Sequence, residues 1–338
     1  MNDRQKIDIS TSTILRFILI ILGLYFLYLI RDVLVMVFIA LIIAAAIDGP
    51  VDWLARHKIR RVFGTAIVYI IIFLLLGLFL YLVLPPLAGQ IKTLATNLPE
   101  LMDKLGAGVS LVEQKIGTPN IQSILEKLSS QLSSAASNIF GTAINIFGGI
   151  FNAIMILIIS VYLVVQDKSL KIILASLIPE KHQSYIADLA QRIQEKLGAW
   201  LRGQLVIMII IGILCFIGLV ILKVKFALTL ALLAALFEIV PFVGPVISGA
   251  VAVLIALTQS PFLALFVLIL YVVVQQLEGH IIAPQVMKRV AGLNPLIVII
   301  ALIVGGKIAG LLGVVVAVPL AAALSVLLKD YFAVSKTR

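Results

Sequence analysis

Charge is what this chain has least of. Of its 338 residues only 12% are charged while 62% are hydrophobic, and the mean hydropathy is +1.20. That leaves too few polar side chains to cover a soluble fold of this size. Cysteine is almost missing: Cys215 stands alone, which excludes an intrachain disulfide or a cysteine-based metal site. His182 has no second histidine, cysteine or carboxylate at ligand spacing, so no metal is expected. There is no phosphate-cradling P-loop, so no nucleotide cofactor is implied. No nucleophile, base and metal come together in the sequence, which speaks against an enzyme. The apolar runs lack period-2 alternation, which excludes an outer-membrane barrel and leaves helices.

What is present is a series of long apolar runs separated by basic loops. A net charge of +10 suggests nucleic acid in a soluble protein, but here Lys and Arg gather in loops as they do on the cytoplasmic side of membrane proteins, and no nucleic-acid partner is expected. A helix crosses the hydrocarbon in about 20 residues. By that ruler the runs are 14–30, 33–47, 62–84, 146–165, 205–222, 226–258, 262–274 and 296–328. The first has no small-residue cleavage motif after it and reads as a retained span. Arg31 and Asp32 divide the first two, and the cost of placing charges at mid-bilayer predicts a tight helical hairpin there.

Arg56, Lys58, Arg60 and Arg61 mark a cytoplasmic loop, and with two spans before it the N-terminus is cytoplasmic as well. Lys329, Lys336 and Arg338 place the C-terminus on the same side. Pro85 and Pro86 are expected to stop the third span. Four regions follow: a three-span scaffold (1–84), an extracytoplasmic amphipathic segment (85–147), a fourth span with a cytoplasmic amphipathic segment (148–203), and a core (204–338).

Two runs in that core are too long. Residues 226–258 would span about 50 Å as one helix, against a hydrocarbon core of about 30 Å. At their centre lies FEIVPFVGP, which sets Glu238, Pro241, Gly244 and Pro245 inside an apolar stretch. Proline breaks a helix and glycine turns it, so two half-length helices in a re-entrant hairpin are predicted. Residues 296–328 repeat the pattern, broken at Gly305, Gly306, Lys307, Gly310 and Gly313, with Pro319 a further hinge. Two hairpins also place Lys288 and Arg289 on the cytoplasmic side, as the positive-inside rule prefers. Setting Glu238 against Lys307 brings Ile239 onto Ile308, Pro241 onto Gly310 and Gly244 onto Gly313. The expected fold is an all-α polytopic membrane protein of about eight membrane segments, two of them broken hairpins in an inverted repeat, the plan of many secondary transporters.

Ionisable residues inside a membrane are costly and are functional by default. Glu238 is therefore a candidate to bind a proton, a cation or a hydroxylated solute, and Lys307 to neutralise it or hold an anionic group. The plainer alternative is that the two only pair with each other or meet water. Gln276 and Glu278, at the end of the seventh run, are further candidates, although Glu278 equally suits a solvent-exposed helix end. Close helix packing explains the glycines of the second hairpin as well as hinge motion does.

The segments FEIVPFVGPVIS, QQLEGHIIAPQV, LNPL and GGKIAGLLGVVVAVPLAAAL resemble, in this order, the signature of the AI-2E family of bacterial membrane proteins. Asn294 stands where relatives carry histidine, a departure that bears on substrate or ion preference. The resemblance implies a multi-pass, homo-oligomeric protein of the bacterial plasma membrane that exports a small polar solute such as autoinducer-2. It leaves Na⁺ or Li⁺ exchange for protons as an alternative, with Glu238 as the exchanging carboxylate. A third reading, from another class, is a membrane scaffold that binds partners through residues 87–145 and 166–202.

Overall fold

The computed structural model describes residues 11–116, 149–166, 179–287 and 295–336, and every described element is helical. In chain order these are α1 (Thr11–Leu29), α2 (Arg31–Arg56), α3 (Arg61–Ile116), α4 (Ile150–Val165), α5 (Glu180–Ile221), α6 (Ala227–Phe237), α7 (Val243–Leu257) and α8 (Pro261–Leu277). A π turn (Glu278–Ile282), α9 (Ala283–Met287) and α10 (Pro295–Lys336) complete the chain. Among the described residues, four helical stretches are long and apolar enough to cross a membrane: Arg31–Arg56, Arg61–Gln90, His182–Ile221 and Pro261–Met287. Asn294, Lys288, Arg289 and residues 117–148, the second half of the expected extracytoplasmic segment, lie outside the described residues.

The N-terminal part departs from expectation twice. The Arg31–Asp32 pair does not mark a hairpin: the Ile30 N–H donates to the Phe26 carbonyl and the Leu34 N–H to the Ile30 carbonyl, both at 3.0 Å. Helical bonding thus bridges the junction, and α1 runs on into α2 with a one-residue interruption. The charges are accommodated locally, Arg31 lying 3.7 Å from Asp32 and 4.6 Å from the centre of the Tyr28 ring. The inference that placed the N-terminus on the cytoplasmic side rested on that hairpin. The second departure is that α3 continues through Pro85 and Pro86 instead of stopping. Each proline removes one N–H donor, but the helical bonds on either side carry the helix across.

α2, α3 and α4 pack through Ala44, Ile47, Val51, Tyr69 and Val164, with the Tyr69 hydroxyl donating to Ser160 Oγ at 2.7 Å inside the contact. Arg61, at the start of α3, ties the three together. Its guanidinium reaches Asp52 at 2.6 Å, Asp48 at 2.9 Å and the Val164 carbonyl at 2.8 Å. The last of these satisfies a carbonyl that the end of α4 leaves without a helical donor.

α5 is the axis of the C-terminal part. From Glu180 onward the expected cytoplasmic amphipathic segment and the fifth span form one helix, about 63 Å long at 1.5 Å per residue. One side of it, Ile207, Ile211, Cys215 and Leu219, meets α6, α7 and α8 in the largest core cluster. Nearer its N-terminus, Leu197 and Trp200 join α2 and α10 in a second.

The first long run is split as its prolines predict. α6 and α7 contain 11 and 15 residues, about 16 and 22 Å, each shorter than a hydrocarbon core. They pack against each other across the bend at 238–242. Phe242 takes φ 66° there, and a Cβ on Gly244 would stand 2.0 Å from the Phe237 carbonyl oxygen, so the tip closes only around glycine. The second run is broken too. Ala309 (φ −134°, ψ 21°) and Gly310 (φ 59°, ψ −139°) interrupt α10. Across them the backbones of Gly305 and Gly313 touch. Eight residues apart in a straight helix, they would be separated by about 12 Å, so the chain doubles back between them. Its two arms pack on α2 and α5.

Candidate functional site

Glu238 ends α6, its N–H still donating to the Ala234 carbonyl at 3.1 Å. The break beyond it deprives the last carbonyls of helical donors, and α5 supplies one: Gln204, itself buried, donates through Nε2 to the Glu238 carbonyl. The bend is thereby fixed and the side chain directed inward. The Glu238 residue is 0% exposed, and no donor group of another residue type satisfies either carboxyl oxygen.

The group nearest it in charge is another carboxyl. Glu278 opens the π turn after α8, and the two carboxyl groups face each other. The Glu278 N–H still bonds to the Val274 carbonyl, so the residue keeps the register of α8 and turns into the protein, where it is 7% exposed; the π turn, a feature frequent at functional sites, follows it. Gln275, one turn earlier, donates to Glu278 Oε2 at 3.0 Å. Among the described residues neither glutamate forms a salt bridge.

Beside this pair lies a small cavity of about 10 Å³, room for roughly one water molecule. Pro245 and Ser248 of α7, Cys215 of α5, and Tyr271, Gln275 and Glu278 of the α8 side contribute to its wall. The buried Tyr271 hydroxyl faces the Cys215 thiol. The arrangement has the parts of a proton- or solute-binding site: two carboxyls, a phenol, a hydroxyl and an amide at a backbone break, walled by apolar side chains. Two buried carboxylates side by side repel and are poorly solvated, and a proton, a cation or a hydroxylated ligand between them relieves both costs.

The residues picked out from the sequence are thus only partly brought together. Glu238, Glu278, Gly244 and Pro245 meet at one place. Lys307 does not join them: it is exposed on the second hairpin, while Glu238 is enclosed. The first bend and the arms of α10 share a core cluster, which holds Val240 with Leu302, Ala317 and Val318. Gln276 gives its carbonyl to His280 Nδ1 (3.0 Å) at the surface, and no contact ties its side chain to the cavity. Gly305 and Gly313 hold the arms of α10 together, Gly310 carries the backbone break, Gly306 packs near Val314, and Pro319 is fully buried.

Tyr271, Ser248, Cys215 and Gln204 were not anticipated as members of the site. A signal for one side existed: Tyr271, Gln275 and Glu278 are spaced by four and three residues, which lines them up on one helical face.

Residues 15–333 match the family described as AI-2E family transporter. Relatives include YueF of Bacillus subtilis (strain 168), 28% identical over 90% of this chain and 83% of its own length. Another is sll0063 of Synechocystis, 29% identical over 83% of this chain and 73% of that protein. The AI-2 transport protein TqsA of Escherichia coli (strain K12) is 27% identical over 86% and 83%. A family match over nearly the whole chain, carried by apolar helices of spanning length around a buried polar break, has one reading: the chain belongs to the AI-2E family of transporters.

Proposed function

We propose that this protein is a secondary transporter of the bacterial plasma membrane that exports a small polar solute past the first helical break, with Glu238 and Glu278 sharing a proton whose loss and gain is linked to solute movement. The observation that carries the reading is the Glu238 carboxyl, wholly enclosed, satisfied by no donor group of another residue type, and facing a second carboxyl. In this reading α6 with α7, and the two arms of α10, are re-entrant hairpins, and the break lies at membrane depth, where unpaired backbone groups are tolerated only if they line protein or a cavity. The arms of α10 are the element against which the first hairpin moves, since Val240 and α10 share one core. Autoinducer-2 is the solute to try first, because one relative is named for it. The working unit is a homo-oligomer, as the family resemblance implies.

The test is efflux from proteoliposomes with an imposed pH gradient. Wild-type protein moves the solute in response to the gradient, and Glu238→Gln reduces that to background while the protein still assembles. Full gradient-driven flux in Glu238→Gln excludes the pair as the coupling site.

A second reading is favoured by the same two carboxyls: they also suit exchange of Na⁺ or Li⁺ for protons. It requires a pH change inside protein-loaded liposomes on addition of either cation. No response at any pH tested removes it and leaves the solute reading standing.

A further inference from the structure

On its face toward the first hairpin α3 presents Val83 and Leu87, both buried and clustered with Leu233 of α6, with Phe237 and Val251 packed alongside. Gln90 comes three residues after Leu87, so the steps 83, 87, 90 keep to one helical face. It is 5% exposed, and neither its amide nitrogen nor its amide oxygen has a hydrogen-bond partner. A carboxamide placed in an apolar stripe and left unpaired costs free energy that a leucine of similar size would not. Packing alone therefore gives no reason for glutamine at this position.

Pro86, four residues before Gln90, has no N–H, so the Leu82 carbonyl, on the more exposed side of α3, loses its regular helical donor. At Gln90 itself α3 offers an amide with two donors and an acceptor. A ligand that satisfies this amide must both accept and donate, which is the chemistry of hydroxyl groups. Val83, Leu87, Leu233 and Phe237 supply no counter-charge, so that ligand is neutral.

We propose that Gln90 binds the transported solute on the α3 side of the first hairpin and selects a neutral, polyhydroxylated molecule. This rests on the transport site proposed at the Glu238 break; Val83 and Leu87, on the same face of α3 as Gln90, cluster with Phe237, the residue before Glu238. It adds a ligand class and a contact that the carboxyl pair does not provide. Under the positive-inside reading of the 56–61 loop, Gln90 lies toward the extracytoplasmic end of the path.

The experiment uses the full chain in liposomes, with Gln90→Cys as reporter and ribose and glycerol as probes. Cys215 is fully buried, so the wild type serves as the unlabelled control. A small water-soluble thiol reagent is expected to label Gln90→Cys, and ribose is expected to slow labelling several-fold. Failure to label, or equal rates with and without both probes, overturns the proposal. In a second arm, Gln90→Leu should retain or raise the melting temperature and lose the ribose-induced rise in melting temperature shown by the wild type. An unchanged ribose response in Gln90→Leu also overturns it. The two proposals fail separately: intact gradient-driven flux in Glu238→Gln sinks the carboxyl pair, whereas the ribose response reads Gln90.

Discussion

Gly305 and Gly313 meet backbone to backbone across the break in α10. A Cβ on Gly313 would stand 2.0 Å from the Gly305 carbonyl oxygen, and one on Gly305 would stand 2.4 Å from that of Gly313. Neither neighbour is a flexible side chain that can turn away. Gly313→Ala is therefore expected to force the arms apart, at the cost of overpacking, about 1–3 kcal/mol or more. Gly77→Ala is the control: nothing lies within 4 Å of its Cβ position, and alanine in a helix interior is worth about 0.5–1 kcal/mol over glycine. Thermal unfolding in detergent should separate the two variants in opposite directions. Equal melting temperatures would mean that α10 does not double back as described.

Gln204 bears on the other break. Its amide satisfies the Glu238 carbonyl, and Gln204→Leu fills the same space while leaving that carbonyl buried and unpaired, a loss of about 1–3 kcal/mol. Lower stability together with reduced transport is the expected result. A variant as stable and active as the wild type would show that the bend is held without α5.

Both breaks were legible because proline and glycine act locally: Pro241, Gly244 and Pro245 turn the chain whatever surrounds them. The same local rule misled at Pro85 and Pro86, where it predicted a stop. A proline forfeits one hydrogen bond, and a helix continuing on both sides withstands that when its neighbours favour it. Arg31 and Asp32 misled similarly, because a bilayer penalty was assigned to charges that interact with each other and with Tyr28 within an unbroken hydrogen-bonding pattern.

The partner of Glu238 was out of reach of such rules. Aligning the two long runs set it opposite Lys307, a relation of sequence symmetry, whereas the structure sets it opposite Glu278. That contact depends on α7 and α8 packing together and on α5 holding the bend. Both are tertiary effects that hydropathy and spacing do not contain.

At the end of α10, Asp330 ties the second hairpin to the N-terminal part of α5. It accepts from Arg192 at 2.9 Å and from the Tyr185 hydroxyl, and Lys196 donates to Ser325 at 2.9 Å nearby. The Arg192 hydrogen bond first, then that from Tyr185, holds the Asp330 carboxyl below the usual aspartate range. A depressed folded value means that the carboxylate stabilises the folded chain above the unfolded aspartate range and that this is lost as pH falls through the folded value. Asp330→Asn should therefore melt earlier than wild type at neutral pH, and the gap should close on acidification below the normal range. A gap that is constant with pH would assign the effect to packing.

The carboxyl pair makes a prediction that neither glutamate makes alone. If Glu238 and Glu278 share one proton, Glu238→Gln or Glu278→Gln each removes the shared position, and either change alone should abolish coupling of flux to a pH gradient. The double variant should then be no worse than the single ones, whereas independent sites would give additive losses. Stability should move the other way: with an amide in place of one carboxyl the other can stay protonated, so the site no longer holds the buried charge of the singly protonated pair. Both single variants are thus expected to melt no lower than wild type while losing coupling. Gradient-driven efflux and detergent melting curves on the four proteins decide the matter together. Additive losses of flux would separate the two residues into different roles, and a large drop in stability in either single variant would make its carboxyl a structural support.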